Sequence, residues 1–265
     1  MRTVRVSELK RWLKCRRSAH LTYQLGYYGS GIEAEIGTYV HALLAEYYSG
    51  SFPFHTEEVN PEVLATGDAM FNTYVVEVEG EGLDIGQRTM HVESRFEAEV
   101  GGVTLSGGVD HIYHDEILNG VVIRDHKTVG RWAPPAQRDY QLMTYAWLAR
   151  ENGIEDIVAF EHNQIKRNKR TPAAKGPFIT RFQHPIRDTT LDKWGQMLSY
   201  QAIEYRNVTD AAEQTGMGVE HPQLYAIGAN DCEFSCSFKD EVCGMIDEGG
   251  DYQDVLKTEF ANVLE

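Results

Sequence analysis

Apolar residues recur along residues 33–48 at Ile36, Tyr39, Val40, Leu43, Leu44 and Tyr47, the spacing that lines one face of an α-helix. Near the N-terminus, Leu9, Trp12 and Leu13 form an apolar stripe behind Ser7. That pattern predicts a helix over about 8–24 with Ser7 as its cap. Another helical stretch covers roughly 60–78. From Met90 the period changes to two, with Met90, Val92, Ser94, Phe96, Ala98 and Val100 alternating against polar neighbours, as in a half-buried strand. Gly101-Gly102 turns the chain into a strand over about 103–114, and Asn119-Gly120 turns it again into a short strand, Val121 to Lys127, so three antiparallel strands form a meander. Beyond it the pattern predicts a helix over 137–151, strands near 156–166 and 177–184, and a long helix over 189–214. Helices, a meander, a helix and further strands define an α/β (α+β) fold with a mixed sheet. No stretch reads as a linker, so residues 1–265 are expected to form one domain with its core at about 31–185.

Composition adds a constraint that at first points away from nucleic acid. Forty acidic residues stand against 25 basic ones, giving a formal charge of -15, whereas a nucleic-acid footprint is usually basic. The charge is uneven, however. Arg2, Arg5, Lys10, Arg11, Lys14, Arg16 and Arg17 against Glu8 leave +6 on the first seventeen residues. A second basic run holds Lys166, Arg167, Lys169, Arg170 and Lys175. No uncharged apolar run is long enough to cross a bilayer, and the N-terminus lacks an apolar signal region, so a cytoplasmic protein without a membrane partner is expected. Its four cysteines are Cys15, Cys232, Cys236 and Cys243; three thiols within twelve residues suggest metal ligation in a reducing compartment.

The meander carries the most chemistry. Side chains alternate across a strand, so Asp125 and Lys127 share one face while His126 points to the other. With Asp110 across the hairpin on the same face, two carboxylates meet, which is costly unless a hard divalent cation sits between them; the pattern proposes a magnesium or manganese site. A surface salt bridge between Asp125 and Lys127 is the plainer alternative, but Val121, Val122 and Ile123 make the strand buried, and buried charge needs a partner or a metal. Two further features accompany it: Gly37-Thr38-Tyr39-Val40-His41 on the second helix, and Gln141 with Tyr145 one helical turn apart. Glu93 could add another carboxylate, but Glu97 and Glu99 share its alternation face, so it reads as part of a solvated face.

Taken in order, Gly37 to His41, Gly107-Gly108-Val109-Asp110, Asp125-His126-Lys127 and Gln141 to Tyr145 resemble the RecB-like branch of the PD-(D/E)xK nuclease superfamily. Ser7-Glu8-Leu9 to Cys15-Arg16-Arg17 is similar to that branch's opening helix, with Arg16 where a Pro commonly stands. The resemblance implies that His41, Asp110 and Asp125, with the His126 backbone carbonyl, bind Mg2+ or Mn2+. It further implies that Lys127 lies beside the scissile phosphate and that Gln141 and Tyr145 position Lys127. The four cysteines resemble those of the CRISPR-associated RecB-like nucleases and the AddB nuclease domain, implying a 4Fe-4S cluster held by elements at about 8–24 and 228–246. The spacing Cys232-x3-Cys236-x6-Cys243 is one residue longer at each step than the usual C-x2-C-x5-C. A structural Zn2+ and ordinary buried cysteines are the other readings.

No G-x-x-x-x-G-K-[ST] phosphate loop occurs, so an ATP-independent DNA exonuclease acting on single strands or ends is expected, with recombination or replication proteins as partners. The alternatives are a DNA-end-binding partner protein and a site-specific endonuclease. Arg11, Lys14, Arg16, Arg17, Lys166 and Arg167 are the candidates for DNA phosphates, with Trp12, Tyr27, Tyr28 or Trp132 for base stacking.

Overall fold

A computed structural model describes residues 1–28, 31–51, 59–133, 138–167, 174–225, 232 and 236–262. Lys169 and Arg170 of the basic run, the first residue of the helix predicted over 137–151, and 228–231 with 233–235 of the cysteine segment lie outside them. The chain packs as two units, one of residues 1–30, 99–105 and 196–265 and the other of 31–98 and 106–195.

In the first unit, β1 (Thr3–Arg5) leads into α1 (Val6–Lys14). Ser7 is not its cap. The helix begins one residue earlier, and the Glu8 carboxylate reaches back to accept the Arg5 backbone N–H at 3.4 Å. Leu9 and Trp12 are buried as predicted, whereas Leu13 is 42% exposed, at the margin of a buried stripe that Glu8 shares with Leu9 and Trp12. The predicted 8–24 helix is also broken. Cys15 adopts an extended backbone, after which α2 (Arg16–Ala19) and a π-helical turn, His20–Gln24, follow. The break lets the Cys15 sulfur accept the Ser18 N–H at 3.4 Å and cap α2. β2 (Tyr27–Tyr28) pairs antiparallel with Ala261–Asn262, and Leu21, Val219, Phe238, Val242 and Leu256 form this unit's own core.

The second unit holds α3 (Ile32–Ser49), α4 (Pro61–Glu81) and, apart from residues 99–105, the strands β3 (Gln87–Val100) and β4 (Val103–Asp115), which pair. The antiparallel neighbour of β4 is β5 (Gly120–Val129), and α5 (Tyr140–Glu151) then connects to β6 (Ile157–Lys166), which runs parallel to β5. β7 (Ile179–Pro185) closes the edge antiparallel to β6, and α6 (Asp188–Thr215) begins here. Two of the helices have side-chain caps that set where they begin. Asn60 accepts the Glu62 N–H at 2.9 Å ahead of Pro61, and Asp139 accepts the N–H groups of Gln141 and Leu142 at 2.9 and 3.1 Å, side-chain caps for donors the helix itself leaves unpaired. Ile36, Tyr39, Val40 and Leu44 of α3 pack with Val63, Met70, Tyr74 and Val78 of α4, the predicted stripe. The two helices approach so closely at Gly67 that a Cβ there would lie 2.3 Å from the Tyr39 ring. The mixed sheet therefore carries the predicted meander and then a strand–helix–strand crossover, with central β5 buried along Val121, Val122 and Ile123.

Candidate active site

Alternation along β5 sorts four consecutive side chains into two rows. Arg124 and His126 face α3 and α4; Asp125 and Lys127 face the opposite way. The antiparallel register His111↔Arg124 and the parallel register Asp125↔His162 extend both rows across the sheet.

On the first row the charges are paired within the chain. Arg124, fully buried, donates to Glu161 at 2.5 Å, to Gln87 at 2.7 Å, to Tyr48 at 3.0 Å and to Asp84 at 3.3 Å. Arg181 donates to Asp84 at 2.7 Å and to the Leu83 carbonyl at 3.0 Å. His126 packs among Tyr48, Tyr74 and His111, and its Nδ1 lies 2.7 Å from the Asn163 amide. Burial and the Arg124 charge hold the His126 imidazole well below the usual histidine range, so it is neutral and serves the core. Only the His126 backbone turns to the site, where its N–H donates to Asp110 Oδ2 at 2.7 Å.

On the second row the carboxylates are crowded. Lys127 Nζ holds Asp125 Oδ1 at 2.9 Å, and burial followed by the Asp125 charge drives the Asp110 carboxyl well above its ordinary range. His41 of α3 brings Nδ1 to 3.5 Å from Asp110 Oδ2. Its imidazole is pushed down by burial and by Lys127, against the opposing pull of Asp125 and a backbone hydrogen bond with His126. Across the active face, Gln141 Nε2 donates to the Tyr145 hydroxyl at 2.7 Å; burial and then the Asp125 charge push that phenol up to about 12.

Glu93 corrects the sequence expectation. One ligand atom each from His41, Glu93 and Asp110 lies within 4.8 Å of the other two, so Glu93 belongs to the site and not to a solvated face with Glu97 and Glu99. Its backbone φ is +44°, a left-handed conformation that interrupts the strand's alternation and turns the side chain inward. Strict period-two reading missed it for that reason, and nothing in the local sequence signals the kink. Burial and then the Asp125 charge raise the Glu93 carboxyl as well. Two carboxylates and an imidazole nitrogen, with carboxyls that resist ionising together, form a donor set suited to a hard or borderline divalent cation.

The proposed nucleic-acid residues fare differently. Arg17 is buried and paired with Asp247 at 2.8 Å, which removes it from any phosphate track, and Trp12 is buried against Tyr205, which removes it from base stacking. Arg16 pairs with Glu204 and Arg167 with Glu33 at 3.6 Å, while Lys166 sits over the Trp132 ring. Arg11 donates to Thr22 at 2.7 Å and, with Lys14, lines a cavity of about 280 Å³ that also exposes Cys15, Cys232 and Cys236. All four thiols are free. They are not gathered into a tight ligand set: among the described residues, His41, Glu93 and Asp110 form the one group of three or more whose ligand atoms approach within 4.8 Å. Burial pushes the Cys243 thiol up to about 11.

The motif order and the mixed sheet fit one nuclease class, which the family comparison shows. The family model of the PD-(D/E)XK nuclease superfamily matches residues 3–243; the chain belongs to that superfamily. No curated protein matches it. Among solved structures, a candidate exonuclease from Eubacterium rectale superposes with a TM-score of 0.52 at 12% identity, covering 78% of this chain and 81% of that one. A phage-related exonuclease from Haemophilus somnus 129PT aligns with a TM-score of 0.33 at 16% identity, covering 75% of this chain and 96% of that one. Among the described residues no helix is long and apolar enough to cross a membrane.

Proposed function

We propose that the protein is a Mg2+- or Mn2+-dependent deoxyribonuclease of the RecB-like branch that hydrolyses phosphodiester bonds in single-stranded DNA or at DNA ends without ATP, in recombination, replication or repair. The observation that carries this reading is the convergence of His41, Glu93 and Asp110 within 4.8 Å beside the Asp125–Lys127 pair. His41, Asp110 and Asp125 are the proposed ligands, with Glu93 added and the His126 carbonyl completing the set. A divalent cation bound there supplies Lewis acidity toward a phosphate oxygen and a nucleophilic water at neutral pH.

The chain's own residues do the rest. Lys127, whose ammonium is stabilised by Asp125 and then Asp110 despite its burial, stays protonated and presents positive charge to the phosphate as negative charge builds up in the transition state. Asp125 fixes that ammonium. Tyr145, held by Gln141, faces the same pair and limits where the lysine can swing. Protonated carboxyls would not bind a cation, so the raised Asp110 and Glu93 groups lose their protons as the metal enters.

Cleavage of DNA labelled at either end, single- or double-stranded, tests this. Lys127→Ala and Asp125→Ala are expected to reduce Mn2+-dependent hydrolysis about 10³-fold or more with the fold retained, and a closed single-stranded circle is expected to survive. Undiminished cleavage by both variants overturns the reading; cutting of the circle makes the protein an endonuclease; binding of ends without cleavage makes it an end-capturing partner.

The iron–sulfur reading of Cys15, Cys232, Cys236 and Cys243 rests on the family resemblance and on three of the four lining one cavity. A single tetrahedral zinc, with Zn–S bonds of about 2.3 Å, would need its thiolates about 3.8 Å apart. Iron and sulfide analysis of anaerobically purified protein, with absorbance near 400 nm, decides it; zinc without iron overturns it.

A further inference from the structure

Asp125 is held on both of its oxygens. Lys127 takes Oδ1 at 2.9 Å, and Oδ2 faces His162 Nε2 at 3.6 Å from the neighbouring strand. That arrangement follows from the parallel β5–β6 register, which sets Asp125 beside His162. What the imidazole offers to Asp125 depends on which nitrogen carries the proton, and the surrounding hydrogen bonds decide it.

Gln164, two residues along β6 and therefore on the same face, is buried, and its amide is fixed by Ala133. The Ala133 N–H donates to Gln164 Oε1 at 3.1 Å, and Gln164 Nε2 donates to the Ala133 carbonyl. Turned over, the amide would set oxygen against oxygen and NH2 against N–H, losing both bonds; one orientation alone satisfies the backbone. The second hydrogen of that NH2 group is then free to meet His162 Nδ1, 3.0 Å away. Nδ1 therefore accepts, and an imidazole that accepts at Nδ1 carries its proton on Nε2. That N–H points at Asp125 Oδ2. At 3.6 Å the contact lies just beyond hydrogen-bond length, and contacts of this kind shorten when a site loads its ligand.

We propose that His162 and Gln164 form a positioning pair for Asp125: Gln164 sets the imidazole tautomer, and His162 donates from Nε2 to Asp125 Oδ2. With Oδ1 pinned by Lys127 and Oδ2 by His162, the carboxylate plane cannot rotate about its Cβ–Cγ bond. Each oxygen keeps a second lone pair for the cation it shares with Asp110. The relay begins at the Ala133 backbone and ends at a metal-binding oxygen, the second layer of contacts that orients ligands and tunes metal affinity. The inference rests on the metal-site reading above.

Two measurements test it. Nitrogen-15 NMR of histidine-labelled, metal-free protein is expected to show His162 as the Nε2–H tautomer, and Gln164→Glu, which replaces the donor at Nδ1 by an acceptor, is expected to move it to Nδ1–H. An Nδ1–H resonance for His162 in the unsubstituted protein overturns the proposal. Mn2+ titration followed by electron paramagnetic resonance is expected to show affinity weakened about 10–100-fold in His162→Ala and largely restored in His162→Gln, whose side-chain amide is again a donor. Should His162→Ala bind Mn2+ normally while Asp110→Asn does not, the positioning role fails and the metal site stands. Should neither variant alter Mn2+ binding, the metal-site reading fails with it.

Discussion

The two faces of β5 handle buried charge in opposite ways. Toward α3 and α4, Arg124 and Arg181 are matched by Glu161 and Asp84, with tyrosine hydroxyls and amides taking the remaining donors. The charges of that face are paired without any ligand, while the buried His126 Nε2 finds no hydrogen-bond partner among the described residues. On the other face the carboxylates of Glu93, Asp110 and Asp125 and the His41 imidazole press together beside a single lysine, and burial followed by the Asp125 charge raises the carboxyls of Asp110 and Glu93 above their ordinary range. One strand thus separates charge neutralised inside the chain from charge left for a cation. The charge-paired face holds the other in place, because alternate residues of one strand carry both.

The largest effect expected from this contrast is on stability. Arg124→Met leaves Glu161 buried without its main partner, and is expected to cost about 3–5 kcal/mol in urea unfolding; a loss under about 1 kcal/mol would mean that the network is not holding the sheet. On the other face the dependence is on ligand. Mn2+ at about 100 times its dissociation constant should stabilise the protein by about 2.7 kcal/mol, and Glu93→Gln or Asp110→Asn should remove most of that gain, whereas Arg167→Ala should not.

Without metal the sign reverses. A carboxyl whose folded-state value is raised binds more protons in the native than in the unfolded chain, so stability falls as pH climbs from the unfolded value near 3.9 toward the folded one. Metal-free Asp110→Asn should therefore melt above the unsubstituted protein at pH 7. The gap should narrow on acidification, each kcal/mol of relieved repulsion raising the midpoint by roughly 2–4 °C. A variant that melts lower at pH 7 would show that Asp110 is already compensated. The smallest effect is at the start of α5, where Asp139→Ala removes the cap of the helix carrying Gln141 and Tyr145 and should cost about 1 kcal/mol, read by thermal melting.

Much of this was legible in the sequence, because the elements that position the site follow simple periods. The stripe from Ile36 to Tyr47, the two glycine-marked turns and the alternation that puts Asp125 with Lys127 all have direct structural counterparts. What escaped had non-local or non-periodic causes. Glu93 enters the site through a backbone kink that no spacing encodes. His162 and Gln164 alternate like any strand residues, and only the strand register gives them neighbours. At the N-terminus the Leu9, Trp12 and Leu13 stripe suggests one helix through residue 24, and nothing in that stripe marks the break at Cys15, whose sulfur accepts the Ser18 N–H and caps the next helix. Arg17 looked like a surface charge since nothing near it in sequence reveals Asp247, 230 positions away.

The kink at Glu93 has a bearing on how the enzyme could be engineered. A non-glycine residue at φ +44° carries a conformational cost of about 1–3 kcal/mol that glycine would not pay, and the same exchange removes a raised carboxyl from a crowded site. Both changes favour the folded state. A library selected for heat tolerance alone would therefore accumulate Glu93→Gly as an early improvement and hand back a sturdier protein that lacks one of the proposed metal ligands, so any such selection needs a turnover screen alongside it.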